Sequence, residues 1–175
     1  MQEIIIATDI SCDSSNCIAT WACYIQYSGG VIKETGQFKK FVNNTPLLEM
    51  LALINALVIA KHNISYWRDS KVIAYNEIDN VFALSLTKAG NLKKKSINRS
   101  NIIIDIALPL LDEVKKYEIK KIKAHFSDWE TSEDPTKYEI NRWCDTESRN
   151  LLRCIRTKNE YAKILAPSFF FMYNR

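Results

Sequence analysis

The sequence predicts a mixed α/β domain: a five-stranded sheet, three strands antiparallel and two parallel, flanked by helices. Three strand-like segments follow one another near the N-terminus, joined by turn residues, and predict an antiparallel meander. A long apolar stretch of helical period follows over residues 43–60, and a further strand comes after it. A strand, a helix and a strand demand a right-handed crossover, so the first and fourth strands are expected as parallel neighbours.

The elements follow in order. Residues 3–9 hold the continuous apolar run Ile4, Ile5, Ile6, Ala7, which reads as a central strand ending at Asp9. Residues 11–16 (SCDSSN) read as a polar turn. Residues 18–27 alternate Trp21, Cys23 and Ile25 against Ala22, Tyr24 and Gln26, a strand pattern. Ser28, Gly29 and Gly30 form a hairpin turn into a third strand over residues 31–42.

In the helix, Leu47, Leu48, Leu51, Ile54, Leu57 and Val58 recur at steps of three and four, Thr45 is the expected cap and Pro46 a first helical residue. Glu49 is expected in the first turn, where the helix dipole favours a carboxylate. A link containing Trp67 leads to a fourth strand over 71–77. A helical stretch through Val81, Leu84 and Leu86 and a basic loop over 88–99 come next. Helix 102–117, strand 119–124 at a sheet edge, an acidic loop over 125–138 and helix 139–153 complete the order.

A chain of 175 residues that is 47% hydrophobic suits one compact domain. Residues 1–153 are assigned to it, and 154–175 to a C-terminal extension that packs back through Phe169, Phe170, Phe171 and Tyr173. No apolar run reads as long enough to span a bilayer, and Ile4 to Ile6 is too short for a signal peptide. Five cysteines without a CxxC pair are expected as reduced thiols in a cytoplasmic, monomeric protein that meets no membrane. The net charge of +4 is a mild bias. The cluster of Lys88, Lys93, Lys94, Lys95 and Arg99 is a solvated face or a footprint for phosphates, and composition favours the former.

The acids carry the chemistry. Asp9 and Glu77 lie at the ends of strands expected to be parallel neighbours, Glu49 lies near a helix start, and Asp145 lies on the last helix. Carboxyl ends of such strands are where α/β sheets bind ligands. Four carboxylates in one crevice repel unless cations neutralise them, and hard oxygen donors suit Mg²⁺ or Mn²⁺. Two such ions are the arrangement that cleaves phosphodiesters. Taken alone, Asp145 and Arg149 read as a surface ion pair at i, i+4. His62 reads as a helix-end contact, and Trp129 and Trp143 as packing residues.

Together these segments resemble the ribonuclease H family. Thr8-Asp9-Ile10-Ser11-Cys12 resembles its T-D-G-S strand end. Asn43-Asn44-Thr45 followed by Glu49-Met50-Leu51-Ala52 resembles its T-N-N-x-x-E-L-x-A helix. Tyr75-Asn76-Glu77 falls where the family has Y-T-D. Ile122-Lys123-Ala124-His125 resembles V-K-G-H, and Asn141-Arg142-Trp143-Cys144-Asp145 resembles N-E-R-C-D. The resemblance implies a ribonuclease H-like fold and endonucleolytic hydrolysis of the RNA strand of RNA–DNA hybrids. It implies Asp9, Glu49, Glu77 and Asp145 as ligands of two Mg²⁺ or Mn²⁺ ions, with His125 assisting proton transfer or product release. It also implies nucleic-acid contacts from Asn44, from Asn16 in the turn after the first strand, and from Lys93, Lys94, Lys95 and Arg99 in a basic protrusion; a 2′-hydroxyl contact is the one expected of Asn44.

Several positions depart from the pattern. Ile10 replaces a glycine, Ser14-Ser15-Asn16-Cys17 replaces a glycine-rich turn, and the third acid is Glu77, with Asn76 as the other anchor for that position. The sequence also departs from the family pattern in Asp79 where the family often has Gln, in Asn43-Asn44 lying farther from Glu49, and in a longer stretch between His125 and Asp145. Two alternatives stay open at this point: a nucleic-acid-binding module of the same fold without cleavage, and a nuclease of the same fold acting on DNA.

Overall fold

The computed structural model describes residues 1–76, 106–122 and 135–157. Its first strand, β1 (Gln2–Asp13), is 12 residues long and outruns its apolar core. The expected turn over 11–16 begins later, because Ser11, Cys12 and Asp13 pair in register with Thr20, Ala19 and Ile18 of β2 (Ile18–Tyr27). Backbone pairing extends the strand where side-chain hydrophobicity gives no signal. Asp9 therefore lies inside β1 and does not end it. Cys17, at φ 53, closes the β1–β2 turn.

Gly30, at φ 137, opens β3 (Gly30–Gln37), a backbone conformation that favours glycine. This strand stops at Gln37, short of the expected Val42. The fourth strand, β4 (Ser70–Asn76), follows a short 3₁₀ turn at Trp67–Asp69 and runs parallel to β1, as the crossover rule requires. The last strand, β5 (Lys116–Lys121), starts three residues earlier than expected and pairs parallel to β4. The sheet order β3-β2-β1-β4-β5 puts β5 at an edge, as its lysines suggest.

Helix α1 (Thr45–Asn63) is capped by Asn44, not Thr45: the Asn44 side chain accepts the Leu47 N–H. That start leaves the first turn without an acid and puts Glu49 in the second turn, beyond the reach of the strongest dipole effect. Leu48, Leu53 and Leu57 are fully buried against Ile4, Ile6, Trp21 and Ile25. Contrary to the sequence expectation, α1 is long and apolar enough to cross a membrane by length and composition. However, 72% of its apolar window is buried inside the domain, which makes it the core helix.

Helix α2 (Leu108–Asp112) is what the structure describes of the expected helix 102–117, whose last residues, Lys116 and Tyr117, belong instead to β5. Helix α3 (Pro135–Arg156) starts within the expected acidic loop and runs past residue 153. It covers the other face of the sheet, where Ile140 and Cys144 pack on Ala7, Ala22, Ile73 and Tyr75. Trp143 packs edge-on against Tyr24 with centroids 5.8 Å apart, and Lys33 lies over both rings. At the end of α1, the His62 ring meets the Val58 carbonyl at 2.7 Å, a helix-end contact.

The five cysteines are free thiols. Glu77, His125, Lys88, Lys93, Lys94, Lys95, Arg99, Trp129 and the Phe-rich tail, all singled out in the sequence, lie outside the described residues.

Candidate active site

Among the described residues β1 and β4 pair in parallel as far as Ala7 with Tyr75, and Asp9 lies two residues farther along β1. Side chains alternate between the two faces of a strand. Asp9 therefore shares the α3 side with Ala7, whereas Ile10 packs in the α1-side core. At this part of β1 lies a cleft of about 210 Å³ lined by Asp9, Ile10, Cys12, Thr45, Glu49, Asp145 and Arg149. Three acids from a strand and two different helices thus meet in one place.

Each acid is held by its own element. The Asp9 carboxylate accepts the Ile10 N–H at 2.8 Å, and the side chain is only 6% exposed. Glu49 is also 6% exposed, carried into the cleft by the apolar packing of α1. Asp145 is positioned by the seating of α3 on the sheet. The Cys144 thiol donates to the Ala7 carbonyl at 3.4 Å. Ser148 meets the Ser11 hydroxyl at 3.1 Å, and its backbone carbonyl accepts from the Thr20 hydroxyl at 2.7 Å. Asp145 lies between these two anchors and pairs through Oδ1 with Arg149 Nη2 at 2.7 Å. The i, i+4 pair read from the sequence is real, and it faces the cleft.

The electrostatic character of the cleft is visible at Cys12. Partial burial, then the negative charges of Glu49 and Asp9, push its thiol up to about 11. The part of this rise that comes from the two carboxylates is a field that a cation would relieve. The buried Cys144 thiol is raised too, first by burial, then by Cys23 and Asp9. Carboxylate oxygens are the hard donors that Mg²⁺ and Mn²⁺ prefer, so the donor chemistry of the cleft fits such ions. Their spacing in this structure does not yet close around one: among the described residues, no three His, Cys, Asp or Glu side chains stand together as an ion-holding group.

The remaining sequence candidates sit elsewhere. Asn44 caps α1, next to the cleft residue Thr45, with its side-chain oxygen 3.2 Å from the Leu47 nitrogen. Asn16 lies at the β1–β2 turn, where its backbone N–H and side-chain amide donate to the two Asp13 oxygens at 3.1 and 2.9 Å. Glu77, His125, Lys93, Lys94, Lys95 and Arg99 are outside the described residues. Sequence reasoning did not assign Cys12 or Arg149 to the cleft. Arg149 carried a signal, the i+4 spacing from Asp145; Cys12 carried one only once β1 was known to run on to Asp13.

No family model and no curated protein matches this sequence. Solved structures do match the fold. Ribonuclease H1 from the halophilic archaeon Halobacterium salinarum NRC-1 is similar at a TM-score of 0.55, with 14% identity over 85% of this chain and 98% of that one. The LC11 ribonuclease H1 isolated from compost gives a TM-score of 0.59 and 15% identity, covering 87% of this chain and 99% of that one. The N-terminal ribonuclease H domain of a Mycobacterium tuberculosis protein gives 0.56 and 9%, over 87% and 98%. With the strand order, the parallel β1–β4 pair and the helix on each face, these similarities establish that the chain has the ribonuclease H fold.

Proposed function

We propose that the protein is a cytoplasmic, monomeric, divalent-metal-dependent endonuclease that hydrolyses the RNA strand of RNA–DNA hybrids. One observation carries the reading: Asp9, Glu49 and Asp145, from three separate elements, line a single cleft at the carboxyl end of the β1–β4 pair. Two of them, Asp9 and Glu49, are buried, and buried acids from distant parts of a chain are costly to gather without a cation to neutralise them. The three carboxylates would hold Mg²⁺ or Mn²⁺, with Glu77 as the fourth ligand. The chemistry that two bound ions supply is activation of a water and neutralisation of charge on the departing oxygen.

The chain's own residues supply placement. Asp9 is fixed by its bond to the Ile10 N–H, and Glu49 by the buried face of α1. The seating of α3 through Cys144 and Ser148 sets the reach of Asp145. Asn44 and Asn16 lie on the two connections that flank this end of the sheet and would meet the nucleic acid there. Lys93, Lys94, Lys95 and Arg99 would grip phosphates, and His125 would assist proton transfer.

The test is a labelled RNA–DNA hybrid, offered with Mg²⁺ or Mn²⁺ beside matched single strands and duplexes. Cleavage confined to the RNA of the hybrid, lost in Glu49→Gln with hybrid binding kept, is the expected result. Cleavage of DNA alone would assign the fold to a DNA nuclease. Salt-sensitive hybrid binding without cleavage would make the protein a binding module.

A further inference from the structure

We propose that Arg149 is a resident counter-ion of the cleft, which competes with a divalent cation for Asp145. The inference rests on the metal-site reading above and concerns what occupies that site beforehand. Arg149 and Asp145 both line the cleft, and Nη2 stands 2.7 Å from Oδ1, a short charge-assisted contact. The order, acid first and base four residues on, is the favourable one for a helical pair. Arg149 follows Ser148, whose bonds to Ser11 and Thr20 fix this turn of α3 on the sheet. Its backbone is therefore held, and its side chain is delivered to Asp145 by the helix geometry.

A guanidinium keeps its charge at every relevant pH, so the pair is not released by deprotonation. A competing cation or a change of rotamer releases it. The carboxylate of Asp145 is turned to an internal cation. It retains lone pairs beyond the contact with Arg149, so competition is partial. The side chains are 46% and 29% exposed, and solvent screening limits the effect further. An exposed pair of this kind corresponds to a change in cation affinity of about two- to fivefold.

The experiment is calorimetric titration of Mn²⁺ into the 175-residue chain without nucleic acid, at fixed ionic strength, with thermal melts to verify folding. Arg149→Gln is expected to bind Mn²⁺ about two- to fivefold more tightly than the wild type. Arg149→Lys, which keeps the charge but lacks the planar fork, is expected to lie between the two. Arg142→Gln, an exposed charge on the same helix, is expected to change the affinity by less than Arg149→Gln does. In an Asp145→Asn background, Arg149→Gln is expected to add nothing.

The proposal is overturned if Arg149→Gln binds Mn²⁺ no more tightly than the wild type, if Arg142→Gln gives an equal gain, or if the gain persists with Asn at position 145. A separate arm tests the site itself. Glu49→Gln should weaken Mn²⁺ binding; if it binds as the wild type does, the metal-site reading fails and this proposal fails with it. The three results named before overturn the role of Arg149 alone.

Discussion

Replacing Asn44 by Ala removes the side-chain oxygen that accepts the Leu47 N–H and leaves the start of α1 uncapped. Loss of such a cap costs about 1 kcal/mol in general. The contact here is 3.2 Å, at the long end for an N–H···O bond, which places the effect at about 0.5–1 kcal/mol. For a chain of 175 residues this corresponds to a fall of about 1–4 °C in Tm. Asn44→Ser restores a capping oxygen and should recover most of that loss. Hybrid affinity, measured by fluorescence anisotropy with Ca²⁺ in place of Mg²⁺, then separates the two roles of the residue. If the amide also reads a 2′-hydroxyl, the Ser variant regains Tm but not affinity. Thermal melts in which Asn44→Ala coincides with the wild type, or in which Asn44→Ser stays as low as Ala, would refute the capping argument.

Two further outcomes follow from the core and the cleft. Leu53 is 1% exposed within the packed face of α1, so Leu53→Ala should cost about 2–5 kcal/mol, read as a lower urea midpoint with an unchanged m-value; a loss below about 1 kcal/mol would contradict the burial. The Cys12 thiol is raised from its ordinary 9.0 to about 11, so the fold favours its protonated form. The stability this gives is complete below pH 9.0 and is lost as pH rises through about 11. Glu49→Gln removes one of the charges responsible and should speed Cys12 alkylation at pH 8.5, followed by peptide mass spectrometry; an unchanged rate would place Glu49 away from the thiol.

The sequence expectations held where side-chain pattern and backbone geometry coincide. Residues 18–27 alternate large and small or polar side chains and form β2 over those same bounds. The parallel pairing of β1 with β4 followed from connectivity alone, because handedness leaves few other routes. The ends of elements were less legible. β1 runs to Asp13 on hydrogen bonds between polar residues, which no hydrophobic period reports. The cap of α1 shifted by one residue because Asn44 and Thr45 both qualify chemically, and only the backbone selects Asn44. At α3 the start signal was present, since proline is at home in a first helical turn, but the acidic residues before it read as loop.

Within the site, three of the four acids named from spacing do share one cleft. What the sequence did not convey is which side chains accompany them. Ile10 and Cys12 stand on one face of β1 and Asp9 on the other, yet all three line the cleft, which strand alternation alone does not predict. Arg149 reads from sequence as an ordinary surface partner for Asp145, and it is the direction of that face of α3 that brings the pair inward.

The central claim is that Asp9, Glu49 and Asp145 form one ion-holding site, and anomalous diffraction from Mn²⁺-soaked crystals tests it most directly. The account predicts a manganese peak inside the cleft, about 2.1 Å from an Asp9 oxygen and from at least one oxygen of Glu49 or Asp145. A cleft without manganese while other carboxylates carry it, or manganese held without Asp9, would contradict the account.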